Sequence, residues 1–454
     1  MERGMRVLET RTAEALATTA AVEAALRTGE HASTHLERTT RRRLTVDPAG
    51  RKRLFHDDAG FGGFVRLGHA GRELYLNAGQ LSERGTAALL ATGRRLFHLG
   101  SPLPATERIP AHHRAAAPDG GWQTTTGRLD MASAAAGAAD LRDAVAARLG
   151  AGQHLGALQI CDQLRESVHA HTAAAPAWDQ CYGVELTAVA TSADGARAVS
   201  ASRYATGLDA IDPACLGREL SLMETGMGAG ERPYEGPRVV FAPTATAQLL
   251  RALTSTLLLN PLTRPAPLIT SLVDEGPRPD AWGARSFDCE GTATGATALV
   301  GPDGVQHTVA TRKAHAGGEG AEAATAGLLT GHAWWNPLKN FPQLGAGNVR
   351  LTPAGAGAGL LDGERCVVVD ARTLGVEEFR SGGQLAFRLL AARAVDGVPQ
   401  EAFRPMSVEG EAIDFLASVT AVGEHVSYFP GQISAGGGYL EMDLSRVTSK
   451  ARER

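Results

Sequence analysis

Cysteine is scarce in this sequence and forms no local pairs. Cys161, Cys181, Cys215, Cys289 and Cys366 are far apart, with no CxxC among them. That spacing excludes a cysteine knuckle for a metal and gives no sign of a disulfide framework, so reduced and mostly buried thiols are expected. No stretch approaches the roughly 20 apolar residues a membrane-spanning helix needs. The N-terminus, MERGMRVLETR, is charged where a signal peptide would have its apolar core. Cytoplasmic residence and no membrane partner are therefore expected. An excess of positive charge is also missing. The net charge of −4 supplies no overall field for nucleic acid, which is not expected as a partner. The one basic run, Arg41-Arg42-Arg43 followed by Arg51-Lys52-Arg53, brackets an Asp47-Pro48-Ala49-Gly50 turn. It reads as a solvated hairpin or a local contact patch. HExxH, P-loop, GxSxG and strand-to-helix GxGxxG signatures are all absent, so the commonest hydrolase and nucleotide chemistries have no foothold.

What is present describes a globular chain. Hydrophobic residues make up 43% and charged residues 21% of 454 positions, which is enough to bury sizeable cores in two or three domains. The first 40 or so residues read as a helix, with Leu8, Ala15, Val22 and Leu26 on one face and Gly29 as a stop. Arg43 to Val46, Arg53 to His56, Phe64 to Leu67 and Glu73 to Leu76 alternate between turns and predict an antiparallel meander, followed by a helix from Leu81 to Phe97. These make an N-terminal α/β domain over 1–100. The proline-rich and glycine-rich stretch 101–125 reads as a linker. A middle α/β domain over 126–225 is expected to hold helices near 133–148 and 155–171, then strands at 182–191 and 196–204. A helix capped by Asp212-Pro213 should close it. A β-rich C-terminal domain over 238–448 opens with the strand Arg238 to Ala242 and a helix from Thr244, its cap, to Leu259. Further runs at 298–300, 306–310, 366–369, 384–393 and 425–428 predict strands, and Glu411 to Val419 a short helix. The fold class is α/β (α+β), mixed at the start and β-rich at the end.

Candidate chemistry is thin. His31 and His35 are spaced i, i+4 and would present two imidazoles on a continuing helix, but no third donor accompanies them. His169 and His171, and His112-His113, are better explained as surface or loop residues. The informative segment is Phe287 to Val300, where Asp288-Cys289-Glu290-Gly291-Thr292 leads into a strand and the turn Gly301-Pro302-Asp303-Gly304. Asp288 and Glu290 can contact a bound peptide or cap backbone amides. Trp334-Trp335 can anchor an interface, or place one ring in the core.

This D-x-E-G-T pattern before a hairpin resembles the TldD/PmbA peptidase family. Five further stretches resemble it in the same order: Phe64 to Arg72; Tyr204 to Gly207 with Leu216 to Glu219; Val239 to Pro243 with Gln248 to Leu250; Thr330 to Arg350; and Ala421 to His425 with Gly431 onward. The working subunit of that family carries an HExxxH zinc motif on the helix after the VVFAP-type strand, completed by a late cysteine. The resemblance places Arg251 and Thr256 where the histidines would stand and Ala252 where the glutamate would stand, with no cysteine between Ser427 and Gln432. His425 is the one late donor nearby. The resemblance therefore implies the PmbA (TldE) branch: no catalytic group and no cofactor in this chain, zinc in a TldD-type HExxxH partner, and a shared cavity for a peptide substrate, with Asp288, Glu290 and His425 as cavity candidates and Trp334 and Trp335 as interface candidates. The alternative is a free-standing peptide-binding or chaperone-like module without hydrolysis.

Overall fold

Thr34, Thr39, Thr40, Thr45 and Val46 make the segment after Gly29 a better strand than helix. In the computed structural model the first described helix, α1, covers residues 15–24, and Gly29, at φ 80°, turns the chain into the 16-residue strand β1 (His31–Val46). His31 and His35 therefore stand on a strand, not on the expected helix. The structure describes residues 15–58, 62–78, 83–102, 122–123, 128–171, 174–228, 230–260, 262–307, 309, 330–335, 342–355, 357–374 and 383–449; His112 and His113 lie outside them.

β1 is the spine of a nine-stranded sheet. One edge pairs antiparallel with β2 (Lys52–Asp58) and with β3 (Gly62–His69), which returns through β4 (Arg72–Ala78). The expected strands are present, but β2 and β3 both pair with β1 and not with each other, so they do not form the expected meander, and the helix α2 (Glu83–Leu96) follows. Two-residue strands β5 (Ser101–Pro102) and β6 (Trp122–Gln123) join the same sheet from the two ends of the 101–125 stretch. The other edge of β1 pairs with β7 (His154–His171), then β8 (Ala174–Thr191) and β9 (Ala198–Ala205). The segment 155–171, expected as a helix, is thus an 18-residue strand. Its even positions Leu158, Ile160 and Leu164, with Leu44, Val184 and Leu186, pack under α3 (Met131–Ala146) and α4 (Pro213–Gly226). Each such side chain taken fully from water contributes roughly 1.5–3 kcal/mol. Asp130 and Asp212 cap these two helices, the latter with Pro213 in the first turn as expected.

The C-terminal region wraps two sheets around one helix. β10 (Arg238–Phe241) enters α5 (Pro243–Leu259). On one side of α5 lies a sheet of β10, β16 (Glu364–Thr373), β17 (Gln384–Val395), β18 (Val398–Ala402), β19 (Met406–Glu411), β20 (Val419–Val422), β23 (Leu440–Asp443) and β24 (Thr448–Ser449). On the other lie β11 (Leu272–Glu275), β12 (Ala296–Val300), β15 (Asn348–Leu351), β21 (Ser427–Phe429) and β22 (Ser434–Gly437), with β13 (Ala333–Trp334) and β14 (Gln343–Leu344) as a separate ribbon. Leu249, Leu250, Leu253 and Leu257 of α5 share one core with Val349, Leu351, Val368 and Phe387. A helix buried on most sides needs apolar residues nearly all round, which is why its pattern looks uninterrupted. Thr244 is not its cap. Ala242 holds that position without a side-chain bond, and the Thr244 N–H donates to the buried Glu219 carboxylate at 2.8 Å. The expected strand at 306–310 reduces to a bridge from Gln306 to Val300, with 308 and 310 outside the described residues. The short helix Ala412–Ala417 follows Glu411 as expected. The architecture is mixed α/β with a β-rich C-terminal region.

Candidate functional site

Alternation along β1 and β7 gives the nine-stranded sheet two different faces. The odd positions Glu37, Thr39 and Arg41 of β1 and Gln163 and Arg165 of β7 line a cavity of about 910 Å³ against the C-terminal region. α5 contributes Arg251, Ser255, Leu258 and Leu259, a stripe at helical spacing. The turn after β11 contributes Trp282 and Arg285, the β13/β14 ribbon Trp334 and Leu344, and the loop before β22 Gly431 to Ile433. A smaller space of about 400 Å³ continues from it past Arg43, Cys161 and Glu185, sharing Arg41, Trp282 and Gly431.

The turn that carries Trp282 and Arg285 is held by polar residues beneath it. Asp274 accepts the N–H groups of Gly347 and Asn348 at 2.8 and 2.6 Å, and Asn348 Oδ1 accepts that of Gly283 at 2.8 Å. Glu275 is fixed by Arg350 at 2.6 Å and Arg278 at 2.9 Å, and these guanidinia, Arg350 first, hold its carboxyl down to about 2.

Cations dominate the cavity wall. Arg285, 7% exposed, lays its Cζ 3.7 Å from the centroid of the Trp334 ring and meets Glu37 at 3.4 Å. Burial, and then repulsion from Arg165, lowers its pKa despite Glu37 and Asp179. Arg165 donates to the Ala284 carbonyl. Arg251 donates from Nε to Ile433 O at 3.0 Å and from Nη2 to the carbonyls of Phe429 and Pro430 at 2.7 and 2.8 Å. Asp179, beneath this wall, is pushed up to about 6 by burial, although it accepts the Ser286 N–H at 2.8 Å and faces Arg165.

The residues singled out from sequence fall in different places. Arg251, Trp334 and Trp335 line the cavity. Ala252 of α5 lies in the core, and Thr256 is 1% exposed with no bond to its hydroxyl. Arg251 lines the cavity while Thr256 faces the core, so in this chain the two side chains do not face one point. A guanidinium, a methyl group and an inward-facing hydroxyl do not fit zinc, and no group of three or more His, Cys, Asp or Glu among the described residues is placed to hold a metal. Asp288, Glu290 and His425 do not line the cavity. Asp288 caps amides instead: Oδ1 accepts from Glu290 and Thr292, both at 2.9 Å, and Oδ2 from Ala333 at 3.0 Å. Gly291 in that turn sits at φ 79°, and a Cβ there would lie 2.4 Å from the His169 ring, so glycine alone fits. Glu290 accepts from Tyr75 Oη at 3.3 Å, and His425 is exposed. Arg165, Arg285, Trp282 and Glu37 went unnoticed in the sequence. Only knowing that β1 and β7 are adjacent strands would have put their odd positions together.

The cavity thus lies between an antiparallel sheet and a β-wrapped helix. Residues 237–448 match the family model of the PmbA/TldA metallopeptidase C-terminal domain, and this region is a member of the TldD/PmbA family. Its fold is shared with solved structures along nearly its whole length. TldE from Thermococcus kodakarensis gives a TM-score of 0.69 at 12% identity, covering 94% of this chain and 98% of that one. Candidate modulators of DNA gyrase from Thermotoga maritima and Bacteroides thetaiotaomicron give 0.68 at 13% and 0.67 at 17%. They cover 95% and 94% of this chain and 99% and 96% of theirs. At such identities the likeness is one of fold. No curated protein matches the chain. No helix among the described residues is long and apolar enough to cross a membrane.

Proposed function

We propose that this chain is the non-catalytic subunit of a TldD/TldE-type zinc metalloprotease, working in the cytoplasm with an HExxxH-bearing TldD-type partner on small or unfolded peptides, such as leader or modified peptides. One observation carries the reading. Arg251, at the first metal-ligand position implied by the family, bonds the carbonyls of Phe429 and Pro430, in the stretch where the late cysteine ligand would be, and that of Ile433 just after it. A fixed guanidinium there repels a dication, while the cavity beside it remains open and lined with indoles. Such a subunit offers shape and contacts, and the partner supplies metal, base and water. Co-expression with a TldD-type protein followed by native mass spectrometry is expected to give a 1:1 complex with more peptidase activity than either chain alone. A stable homodimer that ignores a partner fully active by itself would contradict the proposal.

The second reading, a free-standing peptide-binding or chaperone-like module without hydrolysis, is supported by the size of the cavity, about 910 Å³, and its indole lining. Tight peptide binding by the isolated chain, with no partner captured, would make it the better account.

A further inference from the structure

Arg251 has hydrogen bonds but no counter-ion. Its three bonds end on carbonyl oxygens, no carboxylate pairs with it among the described residues, and burial alone lowers its pKa. Arg285 is nine-tenths buried, and its Nε has no hydrogen-bond partner. Its one ion pair among the described residues, to Glu37, is long at 3.4 Å. Among the described residues four guanidinia, those of Arg41, Arg165, Arg251 and Arg285, line the cavity against the single carboxylate of Glu37. Asp179 lies behind the wall with its Oδ2 already accepting from Ser286. Buried like charges without enough opposing charge are costly, and an anion from outside would relieve them. The indoles beside them set what else that anion carries. Trp334 lies flat against Arg285, and Trp282 has Arg41 5.9 Å from its ring centroid and Tyr204 edge-on at 5.2 Å.

We propose that this cavity recognises a peptide carboxylate, either the C-terminal one or that of an Asp or Glu side chain, between Arg251 and Arg285, with the neighbouring apolar side chain laid on Trp334 and Trp282. The inference rests on the peptide-cavity reading above and names the substrate class of that site. Guanidinium forks pair with carboxylates through two parallel N–H bonds, which gives direction as well as charge. The indole walls favour a peptide over a bare inorganic anion, and the volume suits a short extended segment.

The test is fluorescence anisotropy on the full-length chain, alone and co-purified with a TldD-type partner. The probes are N-terminally labelled hexapeptides with one aromatic and one aliphatic residue: a free-acid form, its C-terminal amide, and amides with an internal Glu or Gln. The neutral amide is expected to bind at least about tenfold more weakly than the best charged peptide. Whichever carboxylate restores affinity identifies the source. Arg251→Gln and Arg285→Gln are each expected to bring the charged-to-neutral ratio close to one, and Arg251→Lys to keep part of it. The peptide series on the unmodified chain decides the matter even if an arginine variant misfolds. Equal affinity for charged and neutral peptides overturns the inference and leaves the peptide cavity standing. Absence of binding by every peptide overturns both. A short single-stranded DNA that displaces the free-acid peptide at lower concentration overturns it in favour of phosphate recognition.

Discussion

Asp288 shows how a chemically suggestive residue can be structural. Its two oxygens accept three backbone N–H groups from opposite sides of a turn, and the residue is 2% exposed. Asp288→Ala would leave those donors buried and unsatisfied, at an expected cost of about 3 kcal/mol or more. Asp288→Asn keeps one acceptor and should lose less. Urea denaturation of both variants checks the order, and equal losses would contradict it. His35 lies at the far end of the same sheet face. It is fully buried, 4.0 Å from Glu37, and burial first, then Arg285 and Arg165, hold its pKa down to about 3 from 6.5. Between those values the unfolded chain takes up a proton that the folded chain refuses. The contribution of a neutral His35 is therefore intact above pH 6.5 and lost as pH falls toward 3. Asp179 and Asp288, raised from 3.8 to about 6 by burial, act in the opposite sense, losing stability as pH rises through that window. Subtracting the curve of His35→Leu from that of the unmodified chain cancels them. The difference should fall with acidification between pH 6.5 and 3. Parallel curves would show that His35 does not titrate this way.

At the scale of elements, what was legible depended on how many faces each element buries. β2 to β4, α3, α4 and α5 announced themselves through turns, caps and an apolar stripe. β7 did not. Leu155, Leu158, Cys161 and Leu164 recur every third residue and imitate a helix, while Gln163, Arg165, Glu166 and His169 on the strand are all buried. One face of β7 lies under α3 and α4 and the other under the C-terminal region, so no exposed polar face remained to reveal the period of two. Losing β7 also hid the cavity, half of which is the odd face of β1 and β7. α5 carries its own prediction. Restoring the zinc motif with Arg251→His, Ala252→Glu and Thr256→His is expected to give no chelator-sensitive peptidase activity, because position 256 points into the core and position 252 is 7% exposed. A carboxylate and an imidazole forced into that core should also lower the denaturation midpoint, by several kcal/mol of stability. Robust zinc-dependent hydrolysis by the triple variant alone would show that α5 can turn or unwind to bring both histidines together.

For the whole molecule, the sequence divides more readily than the structure. The 101–125 stretch has the composition of a linker, yet strands at both its ends join one sheet. A single core cluster runs from Leu158 and Leu186 through Leu216, Leu220 and Met223 to Ala242, Val367, Val369 and Ala394. The last four belong to the region that matches the metallopeptidase domain, and α4 supplies their cover. Cooperative unfolding follows from a core that neither part can close alone. Far-UV circular dichroism and tryptophan fluorescence of the full chain should give one coincident urea transition. The excised segment 237–454 would expose Ala242, Val367, Val369 and the Arg251 side of the cavity. It is expected to bind a hydrophobic dye and to unfold at a clearly lower urea concentration than the full chain, with a broader transition. Adding back 1–236 in trans should recover part of the loss. Two separated transitions in the full chain, with the excised segment matching the second, would mean that the shared core contributes little and that the C-terminal region folds independently of the sheet it covers.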